Sequence, residues 1–295
     1  MCIRDSIGPA RAAGKLPMLS RLASGALRLA EIHATAIVEG DVELAPDAVV
    51  GPWCRLRGPI SIGSGTRLLA SVHLEGPLRL GARNLVFPFA TLGLAPQDLG
   101  WDPDEPGAGL VIGDDNVFRE SATIHRATSR DEPTRIGDGN YWMVNSHAGH
   151  DCQIGSRCVF ANGTLLAGHV EVGDRVVTGG NVAVHQYCRI GRGALLSGTM
   201  GLNKDLPPFL TLTGGNIAGS INLVGMRRSG MPSAEIDDAR WVFKVLYRKG
   251  LSMKHAQEEL QTRADRPIVA EYLAFIAGSK RGIVPGEGEA RRGTA

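Results

Sequence analysis

An aliphatic residue at every sixth position restricts what this chain can fold into more than any other feature. Counting from Ile32, the series runs Ile32, Val38, Leu44, Val50, Leu56, Ile62, Leu68, Leu74, Leu80, Val86 and Leu92 without a gap. It resumes at Ile112, Phe118 and Ile124. A third stretch runs Ile136, Trp142, Ala148, Ile154, Phe160, Leu166, Val172, Thr178, Val184, Ile190, Leu196 and Leu202. A period of six fits neither an amphipathic helix nor a simple alternating strand. It fits a short strand plus a corner, three of which close a triangular coil of about 18 residues, each strand lying roughly 4.8 Å above the one beneath. The sequence therefore predicts an all-β parallel β-helix, a hexapeptide-repeat solenoid, over 31–215. The 39 glycines and the low aromatic content of 5% suit a narrow interior with many corners.

Two insertions interrupt the coils, at 94–110, rich in Pro, Asp and Gly, and at 126–135, short and charged. Loops thrown from a rigid scaffold are where binding residues collect, although surface decoration is the plainer reading of both. After Leu202 the run Lys204-Asp205-Leu206-Pro207-Pro208 ends the strand periodicity. Ser233 is the expected N-cap of a helix reaching about Lys249, with Gly250 as its stop. Ser252 and Pro267 mark two further helices, the last ending near Gly278. A small C-terminal α-helical domain is thus expected over 216–284, and a disordered tail over 285–295. Residues 1–30 are expected to be an N-terminal extension outside the fold. Met1-Cys2-Ile3-Arg4-Asp5-Ser6 reads as a sequencing artefact, and Met18 as the start.

Several classes of function drop out on composition. The net charge of +2 gives no reason to expect nucleic acid or an anionic membrane as a partner. No apolar run reaches the length of a membrane span, and the first residues lack the apolar core of an export signal, so a cytoplasmic location is expected. Cys54, Cys152, Cys158 and Cys188 each fall four residues after an inward position, where a small buried side chain is wanted. No CxxC motif occurs and the cysteine count is odd, which argues against both a thiolate zinc site and a disulfide framework.

The solenoid makes the histidines interpretable. His150, His169 and His185 belong to the hexads of Ala148, Leu166 and Val184, which are one coil apart, and His147 is placed at the corner just before His150. Two readings follow, a metal site or a general base acting on a bound substrate. A hexapeptide carbonic anhydrase with zinc on three histidines is a precedent for the first. The second is favoured because Asp151, next to His150, can orient an imidazole and raise its basicity. Gly168 can offer an unhindered backbone N–H to a developing oxyanion. No metal and no cofactor are expected.

The segments Ile32-His33-Ala34-Thr35-Ala36-Ile37-Val38, Arg119-Glu120-Ser121-Ala122-Thr123-Ile124-His125-Arg126, Asn145-Ser146-His147-Ala148-Gly149-His150-Asp151-Cys152, Leu166-Ala167-Gly168-His169-Val170 and Ala183-Val184-His185-Gln186-Tyr187-Cys188 resemble the acyl-ACP:UDP-N-acetylglucosamine O-acyltransferases of lipid A synthesis. The likeness extends from about Ile32 through Ser279-Lys280-Arg281-Gly282-Ile283. It implies left-handed coils, a homotrimer with active sites between neighbouring solenoids, acyl carrier protein as donor and a UDP-sugar as acceptor. It implies that His150 takes the proton from the sugar 3-hydroxyl, that Asp151 holds His150 in the right tautomer, and that the Gly168 N–H stabilises the oxyanion. By the same resemblance Gln97, Asp98, His147, His169, His185 and Gln186 bind substrate. Asn222 and Arg228 meet the nucleotide, and Gly198 limits acyl-chain length.

The chain departs from the family pattern at a few places. Gly100-Trp101 stands where a lysine usually follows Gln-Asp-Leu, Ser229 replaces a second arginine beside Arg228, and Gly215-Asn216-Ile217-Ala218-Gly219 is shorter than usual. These positions cluster on the nucleotide side. They leave open a paralogue that acylates another nucleotide sugar, such as a 3-amino UDP-sugar. A non-catalytic solenoid that binds acyl carrier protein is the rival from a different class, disfavoured by the intact His150-Asp151 pair.

Overall fold

A computed structural model of the chain describes residues 30–102 and 105–287. The chain winds as a left-handed parallel β-helix with a few helices at its C-terminal end. Successive strands visit three faces in rotation. Glu31–Ile32 starts the first face, Ile37–Glu39 the second and Val42–Leu44 the third. The three sheets hold eleven, nine and eight strands among the described residues. Pairing fixes the coil length directly: Val49 sits over Glu31, Arg67 over Val49 and Leu85 over Arg67, each 18 residues on. The step lengthens to 32 between Leu85 and Val117 and to 24 between Val117 and Tyr141, where the two insertions leave.

Alternation within each short strand sends the hexad residue inward. Leu56, Leu74, Leu92, Ile124, Ala148 and Leu166 are fully buried, and so are Cys54, Cys152, Cys158 and Cys188. Burial pushes the Cys152 and Cys158 thiols up to about 12, so they behave as small apolar side chains. On the first face the inward column becomes aromatic, with Phe118 stacked on Trp142 and Trp142 on Phe160 at 4.1 Å between centroids. Ile32 and Val38 depart from the pattern and are exposed, 47% and 40%, because the first described coil has a described neighbour on one side only.

The three edges of the prism differ in composition. Asn84, Asn116 and Asn140 stack along the third–first edge, each side-chain oxygen accepting a backbone N–H from the next coil. Both insertions leave from the second–third edge, as 95–109 and 126–133. Their flanks belong to strands Thr91–Leu94 and Thr134–Ile136, so both loops are shorter than the hexad count predicts. A bulge marks the first exit. Gly93 sits there at φ +83°, where any side chain would collide with the Glu75 carbonyl.

The C-terminal part corrects several expectations. Strand periodicity does not stop at Pro208, since Leu210–Leu212 pairs in parallel with Leu195–Leu196 and then antiparallel with Ala218–Ile221. Among the described residues four helices follow: α1 Leu223–Arg228, α2 Ser233–Tyr247, α3 Met253–Gln261 and α4 Pro267–Ala277. The first was not visible as a periodic pattern. Pro232, not Ser233, is the N-cap of α2, whereas Ser252 caps α3 by accepting from the His255 N–H.

Asp205, fully buried, accepts from Arg189 N–H and Ser279 Oγ and so ties the segment after α4 to the last coils. Pro285 and Gly286, expected to be tail, pair with Ala218. Residues 1–29, with the expected start at Met18, and 288–295 lie outside the described residues. No described helix is long and apolar enough to cross a membrane.

Candidate active site

The second–third edge brings the predicted chemistry together. In the three coils that follow the insertions its corner has four residues, 149–152, 167–170 and 185–188, the third of which takes a left-handed backbone. Asp151, His169 and Tyr187 fill that position in three successive coils, at φ +60°, +60° and +63°. The position one residue earlier is filled by His150, Gly168 and Gln186. Stacking therefore places Gly168 directly on His150. A β-carbon on Gly168 would lie 2.7 Å from both Cε1 and Nε2 of that imidazole, so only glycine lets the backbone pass this close. The Gly168 N–H is buried and has no hydrogen-bond partner among the described residues.

Asp151 organises the pair. Its Oδ2 accepts from His150 Nδ1–H at 2.7 Å, from Thr128 Oγ1 at 2.6 Å and from Thr128 N–H at 3.1 Å, and Oδ1 accepts from Ser129 N–H at 3.1 Å. Burial opposes the charged form, but the hydrogen bonds from His150 and Thr128 outweigh it and hold the carboxyl well below the usual carboxylate range. An ionised acceptor on Nδ1 fixes the proton there, so Nε2 of neutral His150 carries the free lone pair. This arrangement can take a proton from a hydroxyl placed against Nε2.

The remaining histidines divide into two groups. His169 packs edge to face on His150 at 5.1 Å and lies flat against Tyr187 at 4.4 Å. Burial lowers its pKa against the opposing pull of Asp151 and Asp98. His147 stands in strand His147–Ala148 and not at a corner: the residue before the inward Ala148 must point outward. It shares a hydrogen bond with Thr123 Oγ1 at 2.7 Å and packs against His125 at 5.3 Å. Burial, then the neighbouring His125 and His150, push it down to about 4.

His185 and Gln186 lie two coils above His147 and His150, both exposed, with the His185 Nδ1–H donating to the Gln186 carbonyl at 3.1 Å. The corner partner of His169 in that coil is Tyr187. The three predicted histidines thus fall at different places in their hexads and do not form one column.

His125, Thr128, Ser129 and Tyr187 escaped the sequence reading. His125 donates from Nδ1 to the Ala95 carbonyl at 2.5 Å and so anchors the first loop to this face. That loop carries Gln97 and Asp98, both exposed. Asp98 accepts from the Gly100 N–H at 2.8 Å, and Trp101 lies over the buried Arg126 guanidinium at 6.0 Å. The second loop supplies three of the four donors to Asp151.

Asn222, Arg228 and Gly198 stand away from this edge. Asn222 caps α1 by accepting from Gly225 N–H and donates to the Gly193 carbonyl on the third–first edge. Arg228 is exposed in the last turn of α1. Gly198 lies on the first–second edge, where a β-carbon would meet the Gly180 carbonyl at 3.2 Å.

His150, Asp151 and His169 bring possible ligand atoms within 4.8 Å of one another, so spacing alone admits a metal ion. The donor set fits poorly, because Oδ2 already accepts three hydrogen bonds and His150 Nδ1 is committed to it.

Residues 133–168 match the bacterial transferase hexapeptide family, and residues 205–284 match the second domain of UDP-N-acetylglucosamine O-acyltransferase. An acyl-[acyl-carrier-protein]–UDP-N-acetylglucosamine O-acyltransferase from Janthinobacterium sp. (strain Marseille) is 40% identical over 260 residues, covering 86% of this chain and 98% of the relative. The enzyme of that name from Stutzerimonas stutzeri is 40% identical over 255 residues, 85% of this chain and 98% of its own. Among solved structures, the UDP-N-acetylglucosamine acyltransferase of Francisella novicida superposes with a TM-score of 0.85 at 36% identity, covering 88% of this chain and 95% of that one.

Proposed function

The chain belongs to the acyl-[acyl-carrier-protein]–UDP-N-acetylglucosamine O-acyltransferase family, and from that premise we propose how its residues carry the reaction. It is an acyltransferase that moves an acyl chain from acyl carrier protein to UDP-N-acetylglucosamine, the first step of lipid A biosynthesis. The acceptor atom is the sugar 3-oxygen and the chain is a 3-hydroxyacyl group.

His150 Nε2 takes the proton of the 3-hydroxyl as its oxygen attacks the thioester carbonyl carbon. Charge collects on the carbonyl oxygen, which the unpartnered Gly168 N–H receives. The C–S bond then breaks, and the leaving thiolate takes the proton back from His150 as a thiol. Asp151 stays ionised throughout and stabilises the imidazolium between these steps. The thioester brings its own activation, so the step needs no cofactor. Gln97, Asp98, His147, His169, His185 and Gln186 line the surface on which the sugar and the start of the acyl chain lie.

The observation that carries this reading is the 2.7 Å bond from His150 to an ionised Asp151, with Gly168 flush against the same imidazole. The places of the other residues support a homotrimer. His150 and Gly198 sit on two different edges of one prism and Asn222 is held against the third through Gly193. Cyclic packing of three prisms sets one subunit's edge against another's. The cytoplasm, where acyl carrier protein and UDP-sugars meet, is the proposed location.

The test is transfer from a panel of acyl carrier protein thioesters to UDP-N-acetylglucosamine and to its 3-amino analogue. Product with the first acceptor supports the reading. Product with the amino sugar alone reassigns the acceptor, and product with neither overturns the activity.

A further inference from the structure

Asp151 is held between two imidazoles. Its Oδ2 lies 2.7 Å from His150 Nδ1 and 3.7 Å from His169 Nε2. A carboxylate so placed can serve either ring, but only the bond to His150 leaves a free Nε2 beside Gly168. Two contacts bear on which ring it serves. Thr128 gives both its hydroxyl and its N–H to Oδ2, so that with His150 the oxygen holds three donors. Tyr187 lies flat on the far side of His169, 4.4 Å away and 8° from parallel. Tyr187 is 53% exposed at φ +63°, a conformation that favours glycine or asparagine. Burial therefore does little to explain the ring, whereas the stack on His169 gives it a defined partner.

We propose that Thr128 is a positioning residue: its hydroxyl occupies the place on Asp151 Oδ2 that His169 would otherwise take, and so commits the carboxylate to His150. Without the hydroxyl, Oδ2 keeps two donors, the Thr128 N–H and the His150 Nδ1–H. Its freed side faces the His169 ring, 3.7 Å away, which needs to move only about 1 Å to make a hydrogen bond. Asp151 is then shared, and a smaller fraction of His150 holds the Nδ1–H tautomer. The second loop, 126–133 in the structure, thereby belongs to the catalytic apparatus through one side chain. This inference rests on the general-base reading of His150.

The experiment compares full-length Thr128→Val with Thr128→Ser, with Thr128→Ala as the substitute if valine is not tolerated. Steady-state kinetics with an acyl carrier protein thioester and UDP-N-acetylglucosamine are paired with side-chain 15N spectra of the imidazoles in the free protein. Outer partners that orient a metal-bound imidazole are worth roughly 10- to 100-fold in activity, and a fall of that order is expected for the group that orients Asp151 here. The expected result is that fall in kcat for Thr128→Val with both KM values unchanged, and restoration by serine. In the spectra, the fixed Nδ1–H signature of His150 should weaken while His169 gains a hydrogen-bonded Nε2–H. Wild-type kcat in the valine variant, or a serine variant as slow as the valine one, overturns the proposal. So does an unchanged His150 tautomer in Thr128→Val. The spectra need no substrate, so failure of the wild-type protein to transfer an acyl group would count against the general-base reading and leave the exchange of partners separately decided.

Discussion

One added methyl group tests the site most directly. In Gly168→Ala the new β-carbon would lie 2.7 Å from His150 Nε2 and Cε1, whereas ordinary contact begins near 3.4 Å. The backbone on either side is tied down: Ala167 N–H donates to Val184 at 3.1 Å, His169 N–H to His150 at 2.9 Å, and Tyr187 N–H to the Gly168 carbonyl at 3.2 Å. The imidazole must therefore move, by about 0.7 Å, and because Nδ1 is bound to Asp151 the swing falls on Nε2. A misplacement near 1 Å costs about 10²-fold in rate, equivalent to about 2.7 kcal/mol of transition-state stabilisation. Alanine keeps its N–H, so the oxyanion donor survives and the variant isolates the alignment of the base. Overpacking also costs about 1–3 kcal/mol of stability, visible as a drop of a few degrees in the thermal midpoint. Steady-state transfer assays should show kcat down about 100-fold with the KM for the UDP-sugar unchanged. A folded Gly168→Ala enzyme with wild-type kcat would refute the placement of His150 Nε2 at the reacting hydroxyl.

Five further outcomes are expected. His150→Ala should lose about 10²–10⁴-fold in transfer rate with oligomeric state unchanged by sedimentation. Dialysis against a chelator should leave wild-type activity intact, and activity lost to chelation and restored by zinc would move His150, Asp151 and His169 to a metal role. Gly198→Met should shift donor preference toward short acyl chains, since even its β-carbon meets the Gly180 carbonyl at 3.2 Å; an unchanged donor profile places the chain elsewhere. His147 titrates near 4 in the fold against an ordinary 6.5. The unfolded chain thus binds a proton that the folded one refuses, and stability is lost as pH falls from about 6.5 to about 4. His147→Gln should flatten that acid slope in thermal melts. Gly100→Lys should tighten UDP-N-acetylglucosamine binding by up to about 1.5–3 kcal/mol if its ammonium supplies a charge-assisted hydrogen bond. Its β-carbon fits, in ordinary contact with Asp98 Oδ1 at 3.4 Å, and weaker binding in titration calorimetry would argue that the acceptor is another sugar.

The solenoid was legible because its inward position recurs with almost no exceptions and a triangular coil leaves no other place for such residues. Thr178 shows how the pattern tolerates a polar member: its hydroxyl bonds Thr164 Oγ1 at 2.6 Å and accepts the Ala161 N–H at 3.1 Å, so nothing is left unsatisfied. Legibility fell where contacts are not periodic. Helix α1 has six residues, too few for an amphipathic pattern to register. Asp205 looked like part of a chain-breaking run, and its two partners, Arg189 and Ser279, are 16 and 74 residues away.

The site itself was half legible, and the missing half has a single physical origin. A step of 18 relates His150 to Gly168 and Gln186, and Asp151 to His169 and Tyr187. Grouping histidines by hexad hides this, because it treats the first, second and third residues after an inward position as equivalent. In a coil they are successive corner residues that differ in direction, and only the third takes the left-handed backbone. His125 was hidden by a different arithmetic. It faces His147, yet the six extra residues of the second loop place their hexads 24 apart, so a search at 18 passes over it. Thr128 lies inside those extra residues, where no register exists to predict a contact with Asp151. An inserted loop on a solenoid therefore does two things at once. It breaks the count that makes the scaffold readable, and it is free to aim a hydroxyl at a carboxylate that the scaffold has already fixed. Insertions on the edge that carries a titratable column are thus where unrecorded positioning residues are best sought, and Thr128 is the instance this chain offers.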